Sequence, residues 1–315
     1  MWRDFLLLRD SSPFLLLRAG TISSFSEVKQ QVTARVPAST SNLGPGFDCL
    51  GVALRLYTSI TLWRGKSGPL PSMATETAGK FFALVRSGIF PFSCAIESDV
   101  PIARGLGSSA AIRLAVLHAL NELSGVQLSC NELFVLCSTL EGHPDNAAAA
   151  SFGGFNVVRD LKTQRFDVSP RIYFVLLVPD LKIETDKARR LLPAKIPRSD
   201  AIMSSSNVAA IVAAFASGDY KNLRGAFRDG LHQPYRERLV PFLQNVIAAA
   251  EDSGALGAFL SGSGSSVCAV TLRDPETVAK AMKRGSSLKA ARILITTADN
   301  QGVRVFKSTA RASKI

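Results

Sequence analysis

Residues 101–111 read Pro-Ile-Ala-Arg-Gly-Leu-Gly-Ser-Ser-Ala-Ala and stand between a short strand-like run and a strongly helical stretch. This junction constrains the fold most, because a strand end, a tight glycine turn and a helix start must share one short segment. Gly105 and Gly107 let the backbone bend and come close to a ligand. Ser108 and Ser109 occupy the place expected of a helix N-cap, and the small Ala110 and Ala111 leave the first turn uncrowded. Free N–H groups and the helix dipole then favour an anion at this point, with Pro101, Arg104 and Leu106 completing the loop. Taken as residues alone, the segment reads equally well as a capped helix after a tight turn.

Hydrophobic periodicity divides the rest of the chain into mixed elements. Strands are expected at 32–36, 52–62, 94–97, 155–158, 172–178, 258–260, 267–271, 291–296 and 302–306. Helices are expected at 76–86, 108–123, 131–140, 147–150, 186–192, 201–216, 223–227, 241–253 and 275–283. The order lacks the strict βα repeat of a doubly wound sheet, so two α+β domains joined near 165–171 suit it best. The expected division is an extension at 1–30, a first domain at 31–168 and a second at 169–315.

Composition excludes several classes. Hydrophobic residues make up 47% of the 315 and charged residues 20%, which suits a packed core rather than a disordered chain. The net charge of +12 is spread along the chain apart from a basic tail at 304–314. No arginine-rich block or basic-aromatic ladder appears, so nucleic acid is not the expected partner. The five cysteines are scattered, odd in number and without a Cys-x-x-Cys pair, which argues against a disulfide framework or a zinc site. Reduced thiols in a cytoplasmic protein are the simplest reading. At the N-terminus, Phe5-Leu6-Leu7-Leu8-Arg9 is echoed by Phe14-Leu15-Leu16-Leu17-Arg18, with a polar break at 9–13. Neither half approaches the ~18 apolar residues of a spanning helix, and no membrane association is expected. A packed segment or an over-extended start is preferred there over an export signal, with organelle targeting left open.

Other phosphate motifs match less well. Gly65-Lys66-Ser67 imitates the end of a Walker loop, but the earlier glycine it requires is Ile60. The dinucleotide-like Gly105-x-Gly-x-x-Ala lacks an acidic strand-end residue about twenty positions on, since Glu132 falls within a helix. Two further glycine-rich segments flank the junction in sequence. They are Pro37-Ala38-Ser39-Thr40-Ser41-Asn42-Leu43-Gly44-Pro45-Gly46-Phe47-Asp48 and Leu260-Ser261-Gly262-Ser263-Gly264-Ser265-Ser266. In order and spacing, the three segments resemble the motifs of the GHMP kinases, which phosphorylate galactose, homoserine, mevalonate or phosphomevalonate. The resemblance runs from about 32 to 269. It implies a two-domain α+β architecture, with an N-terminal βαβ-containing nucleotide domain and a C-terminal ferredoxin-like α/β plait. It also implies ATP as phosphoryl donor and Mg2+ held by Ser109 and Glu141.

Three details resemble the homoserine branch of that family. They are Gly46-Phe47-Asp48-Cys49-Leu50-Gly51, the middle segment Glu141-Gly142-His143-Pro144-Asp145-Asn146 before Gly153-Gly154, and the arginines near Thr185 and in Pro234-Tyr235-Arg236. The implied acceptor is L-homoserine, which carries a carboxylate, an ammonium and a primary hydroxyl. A guanidinium fork grips a carboxylate in a bidentate way, which nominates Arg189 and Arg236, with Arg190 as rival to the first. Asp48 suits the ammonium with help from Asn42, and Thr185, Gly262 and Gly264 complete the substrate side. His143, Asp145 and Asn146 are the catalytic candidates: His143 is nominated to hydrogen-bond the amino acid, and Asp145 and Asn146 to orient its hydroxyl, without a proton-abstracting role being assigned to either. The sequence departs from the family at Ser263 and Ser265, at the four alanines after Asn146, and at Arg113 in the phosphate helix. Another kinase of the family, acting on mevalonate or a sugar, is the alternative. A non-catalytic binding protein is the rival of a different class, and a homodimer is compatible with either.

Overall fold

The computed structural model describes residues 30–307 apart from Lys66 and Ser87; expectations for 1–29 and for the tail beyond Lys307 lie outside the described residues. Strands β1 (Gln31–Ser41) and β2 (Leu50–Arg64) form the spine of the first sheet. Its order is β10 (Arg304–Lys307), β1, β2, β4 (Phe155–Arg159), β5 (Lys162–Phe166), with β3 (Phe92–Ser98) also beside β2 and every pairing antiparallel. Alternation along β1 buries Val32, Ala34 and Val36 on one face, and register sets Ala34 opposite Ile60 and Val32 opposite Leu62. Helices α1 (Ser72–Val85), α2 (Ser108–Ser124), α3 (Cys130–Glu141) and α4 (Asp145–Phe152) cover that face. Strand β4 (Phe155–Arg159) then turns back through β5 (Lys162–Phe166).

The second sheet is built from β6 (Tyr173–Pro179), β7 (Gly257–Leu260), β8 (Val267–Thr271) and β9 (Ala291–Thr296), in the order β7-β8-β6-β9. Read from β9, this is the 4-1-3-2 order of the expected plait. Helices α8 (Leu243–Asp252) and α9 (Pro275–Ser286) pack on the face formed by Val175, Leu177, Ala258 and Leu260. The opposite face, with Phe174, Leu176, Phe259 and Cys268, joins Leu50, Val52, Leu54 and Phe155 of the first sheet in a shared core. Helix α6 (Arg198–Ser217) contributes Ile211, Ala214 and Phe215 to it. It is long and apolar enough to cross a membrane by length and composition alone.

Four expectations need correction. The first strand does not stop at Pro37 but continues to Ser41, because Pro37 stands at a β-bulge, where its missing N–H is tolerated. The segment 223–227 is no helix; a 3-10 turn at Tyr220–Leu223 leads into turns around Gly225, whose φ of 78° breaks helical geometry. Strand β5 was not expected, since it is short and polar and its hairpin turn, Asp160-Leu161, uses positive φ without glycine. Finally, β10 (Arg304–Lys307), grouped by sequence with the second domain, pairs with β1 in the first sheet. Antiparallel pairing covers the edge of β1 that would otherwise stand open.

Candidate active site

The three glycine-rich segments meet through their backbones. Ser39 N–H donates to the Leu106 carbonyl at 3.2 Å, Ser266 N–H to that of Arg104 at 3.1 Å, and Gly262 N–H to that of Ser41 at 3.2 Å. The Ser261 hydroxyl lies 2.8 Å from that of Thr40 and donates to the Gly105 carbonyl at 2.7 Å. Gly105 and Gly107 are required by space as well as by positive φ. A Cβ would lie 2.1 Å from the Ser261 carbonyl oxygen at Gly105, and 2.0 Å from Ser39 Oγ at Gly107. The helix cap differs from expectation. Gly107, in the left-handed region, is the N-cap of α2, while Ser108 and Ser109 lie inside its first turn and no side chain caps it. The first N–H groups are therefore left to face the cleft, which is the arrangement an anion binds.

A second wall comes from the turn between α3 and α4. A capping box of Ser129 and Glu132 starts α3, and Gly142 at φ 77° ends it, which sets Glu141 at the helix end. Glu141 Oε1 accepts from Ser109 Oγ at 2.5 Å and from Arg113 Nε at 2.7 Å. Arg113 is 8% exposed and also pairs with Glu76 of α1 at 2.9 Å and bonds the Thr77 hydroxyl. Asp145 is buried and accepts from the Asn146 N–H at 2.8 Å, with His143 Nδ1 3.0 Å away. Burial alone would lower the His143 pKa, but the bond to Asp145 and the charges of Asp145 and Glu141 outweigh it and raise it above 6.5. Burial in turn acts to raise Asp145, whose bonds to His143 and Asn146 nevertheless hold it below the ordinary carboxylate value.

The third wall carries opposite charges. Arg189, in α5 (Thr185–Arg189), grips Asp48 in a bidentate pair at 2.9 and 2.5 Å. Beside it lies Arg236, at the end of α7 (Gln233–Arg236) and only 1% exposed. Burial and the neighbouring Arg189 pull its pKa down to about 10. The Phe47 ring lies beside both guanidinium groups, its centre 5.3 Å from that of Arg189 and 5.1 Å from that of Arg236. One cleft of ≈ 230 Å³ joins this wall to Ser109 and His143.

Most of the nominated residues therefore line one cleft: Asn42, Asp48, Arg104 to Ser109, Glu141, His143, Asp145, Asn146, Thr185, Arg189, Arg236 and Gly262. Of the two adjacent arginines, Arg189 lines it and Arg190 does not. Pro101, Ala110, Ala111 and Gly264 do not line it either. Both alanines are fully buried under the loop, and Gly264 packs beneath Gly105 as structural support. Arg104 lines the cleft but directs its charge elsewhere, to Asp180 at 2.7 Å and the Pro179 carbonyl at 2.9 Å. The Asn42 amide links the Gly262 carbonyl to the Asp48 N–H, so it positions Asp48. Asn146 is likewise held, accepting from Ser39 and donating to Ser41. Sequence reasoning missed Glu76 and Phe47. A helical carboxylate carries no signal until α1 is packed on α2, whereas Phe47 lay within a quoted motif.

The chain matches the GHMP kinases N terminal domain over residues 73–154 and the GHMP kinases C terminal domain over 211–287. It is 35% identical over 297 residues to the homoserine kinase of Caldicellulosiruptor bescii, covering 87% of this chain and 97% of that one. It is 40% identical over 270 residues to the homoserine kinase of Gloeobacter violaceus, covering 79% and 90% respectively. The crystal structure of homoserine kinase from Cytophaga hutchinsonii superposes with a TM-score of 0.80 at 26% identity, over 90% of this chain and 99% of that one.

Proposed function

This chain belongs to the GHMP kinase family, and from that membership we propose that it transfers the terminal phosphate of ATP to the hydroxyl of L-homoserine. The product is O-phospho-L-homoserine, an intermediate of threonine biosynthesis, and the setting is the cytoplasm. The Asp48–Arg189 pair beside the buried Arg236 carries this reading. Without a ligand, carboxylate and guanidinium satisfy each other. A zwitterion replaces both partners at once, its carboxylate taking Arg189 and Arg236 and its ammonium taking Asp48. Mevalonate, taking the arginines with its carboxylate, would leave Asp48 unpaired for want of an ammonium, and a sugar would leave the buried Arg236 without an anion.

The uncapped N–H groups at the start of α2 would hold the phosphates of ATP and would stabilise the charge that develops on the phosphoryl oxygens during transfer. Among the described residues no cluster of three or more His, Cys, Asp or Glu could hold a metal ion. Magnesium needs no such cage, because it keeps waters and shares its shell with phosphates. The donor set suits it: Ser109 Oγ and the Glu141 carboxylate are hard oxygens in direct contact, and Arg113 and Ser109 both use Oε1, which leaves Oε2. When bound, the ion neutralises charge on the transferring phosphoryl group. The Nδ1 of His143 is taken up by Asp145, which leaves Nε2 for the substrate. Phosphoryl transfer through a loose transition state depends chiefly on this positioning and charge neutralisation.

A coupled assay of ADP release with homoserine, mevalonate and galactose tests the reading. Turnover is expected with homoserine alone, and turnover with another acceptor but not homoserine overturns it. Arg236→Ala should raise the KM for homoserine by about 100-fold, through loss of a bidentate charged contact, with little change for ATP.

A further inference from the structure

His232, which the proposed reaction does not use, is fully buried at the start of α7, one turn before Arg236. Arg236 Nη1 donates to His232 Nδ1 at 3.2 Å and to the Gly262 carbonyl at 3.0 Å. A guanidinium has only donors, so Nδ1 must offer its lone pair and the ring proton must sit on Nε2. The surroundings of Nε2 agree: the Gly44 carbonyl accepts at 2.8 Å, and Asp229 Oδ2 lies at 3.4 Å. Asp229 is itself fixed, because its carboxylate accepts the N–H groups of Leu231, His232 and Gln233. The imidazole also stacks on Phe47, with ring centres 5.1 Å apart.

We propose that His232 is the positioning residue for Arg236, a neutral acceptor that fixes one edge of the guanidinium and leaves its full charge for the carboxylate of the substrate. Two features of the surroundings make such a tether necessary. Arg189 repels Arg236, while Asp48, Asp145 and Asp229 attract it, so an untethered guanidinium would be drawn towards a carboxylate of the protein instead of the substrate. A carboxylate at position 232 would hold Arg236 but cancel its charge; an imidazole holds it and cancels nothing. Burial, the largest influence on the ring, lowers its pKa to about 4 and so keeps the acceptor lone pair free at neutral pH. The two bonds from Nη1 turn the edge formed by Nε and Nη2 away from the protein's own acceptors. Nε is buried without a hydrogen-bond partner, a state that costs free energy unless a ligand completes it.

The inference rests on the homoserine reading for its kinetic arm only. The test compares His232→Asn, whose amide oxygen falls near the Nδ1 position and keeps the acceptor, with His232→Gln, which keeps a donor towards Gly44 but loses that acceptor. His232→Phe, which keeps the ring stack and loses both bonds, substitutes for the glutamine variant should that one not fold. The expected result is a KM for homoserine raised about 10- to 30-fold in His232→Gln and within about threefold of wild type in His232→Asn. The KM for ATP and kcat should stay within about threefold in both. Equal losses in the two variants, or a parallel rise in both KM values, would overturn the proposal. Ligand-free crystal structures of the same variants provide the arm that is independent of substrate. Arg236 should leave the Gly262 carbonyl in His232→Gln and stay in His232→Asn; an unmoved Arg236 in His232→Gln also overturns it. Failure of the substrate reading shows separately, as a wild-type protein that does not turn over homoserine.

Discussion

At Gly105 the space that a side chain would need is taken by the Ser261 carbonyl, and φ is +75°. Gly105→Ala should therefore cost about 2–4 kcal/mol from left-handed strain plus overpacking, read by urea denaturation, and should also weaken ATP binding. An unchanged unfolding midpoint would show that the loop is looser than its three crossing bonds indicate. His143 supports a pH prediction. Its pKa is raised in the folded state above 6.5, so its contribution is fully present below that value and fades as pH rises through the folded value. The melting temperature of wild type minus that of His143→Asn should be largest below pH 6.5 and shrink as the pH rises above it. A difference that grows over this range would remove the His143–Asp145 pair as its cause.

Among the elements, α1, α2 and α3 are joined at one buried cation. Arg113 carries charge from the second turn of α2 to Glu76 on α1 and Glu141 at the end of α3. Burial acts to lower its pKa, but Glu141 and Glu76 together raise it, so it stays charged. Arg113→Ala leaves the Glu141 carboxylate, 8% exposed, without its cation and should cost about 3–5 kcal/mol. The double variant Arg113→Ala/Glu141→Ala should be more stable than Arg113→Ala alone, because the stranded charge is gone. Additive losses in chemical denaturation would contradict the pairing. The sequence marked Arg113 as out of place in a phosphate helix; its reason became visible only when the two acidic neighbours were packed against it.

Across the whole molecule, the two sheets share one core and one strand crosses back. Phe155 of the first sheet stacks on Phe215 of α6 with ring centres 4.1 Å apart, within the cluster that also holds Phe174 and Phe259 of the second sheet. The two domains should accordingly unfold together. Phe155→Ala should lower a single calorimetric transition, with a cost of about 3–5 kcal/mol, rather than split it in two. Two separated transitions would show that the shared core does not couple the domains. The return of Arg304–Lys307 to the edge of β1 ties the end of the described chain to its beginning in the same way.

Local sequence was sufficient for whatever depends on nearest neighbours along the chain. Hydrophobic patterning, as alternation or as short buried runs, located nine of the strands, and the glycine and serine segments located the phosphate loop, the middle turn and their order. Steric limits on backbone and the two periodicities act within a few residues, so these features survive without tertiary context. Pairings across distance were decided by the fold alone. Nothing local says that Asp48 meets Arg189, that Arg104 turns to Asp180, or that Arg236 reaches the Gly262 carbonyl, since each contact depends on where whole elements are carried by the shared core. The sequence by itself determined a glycine loop opening a helix; the tertiary structure decided that its N–H groups stay uncapped and that the Asp48–Arg189 ion pair lines the same cleft.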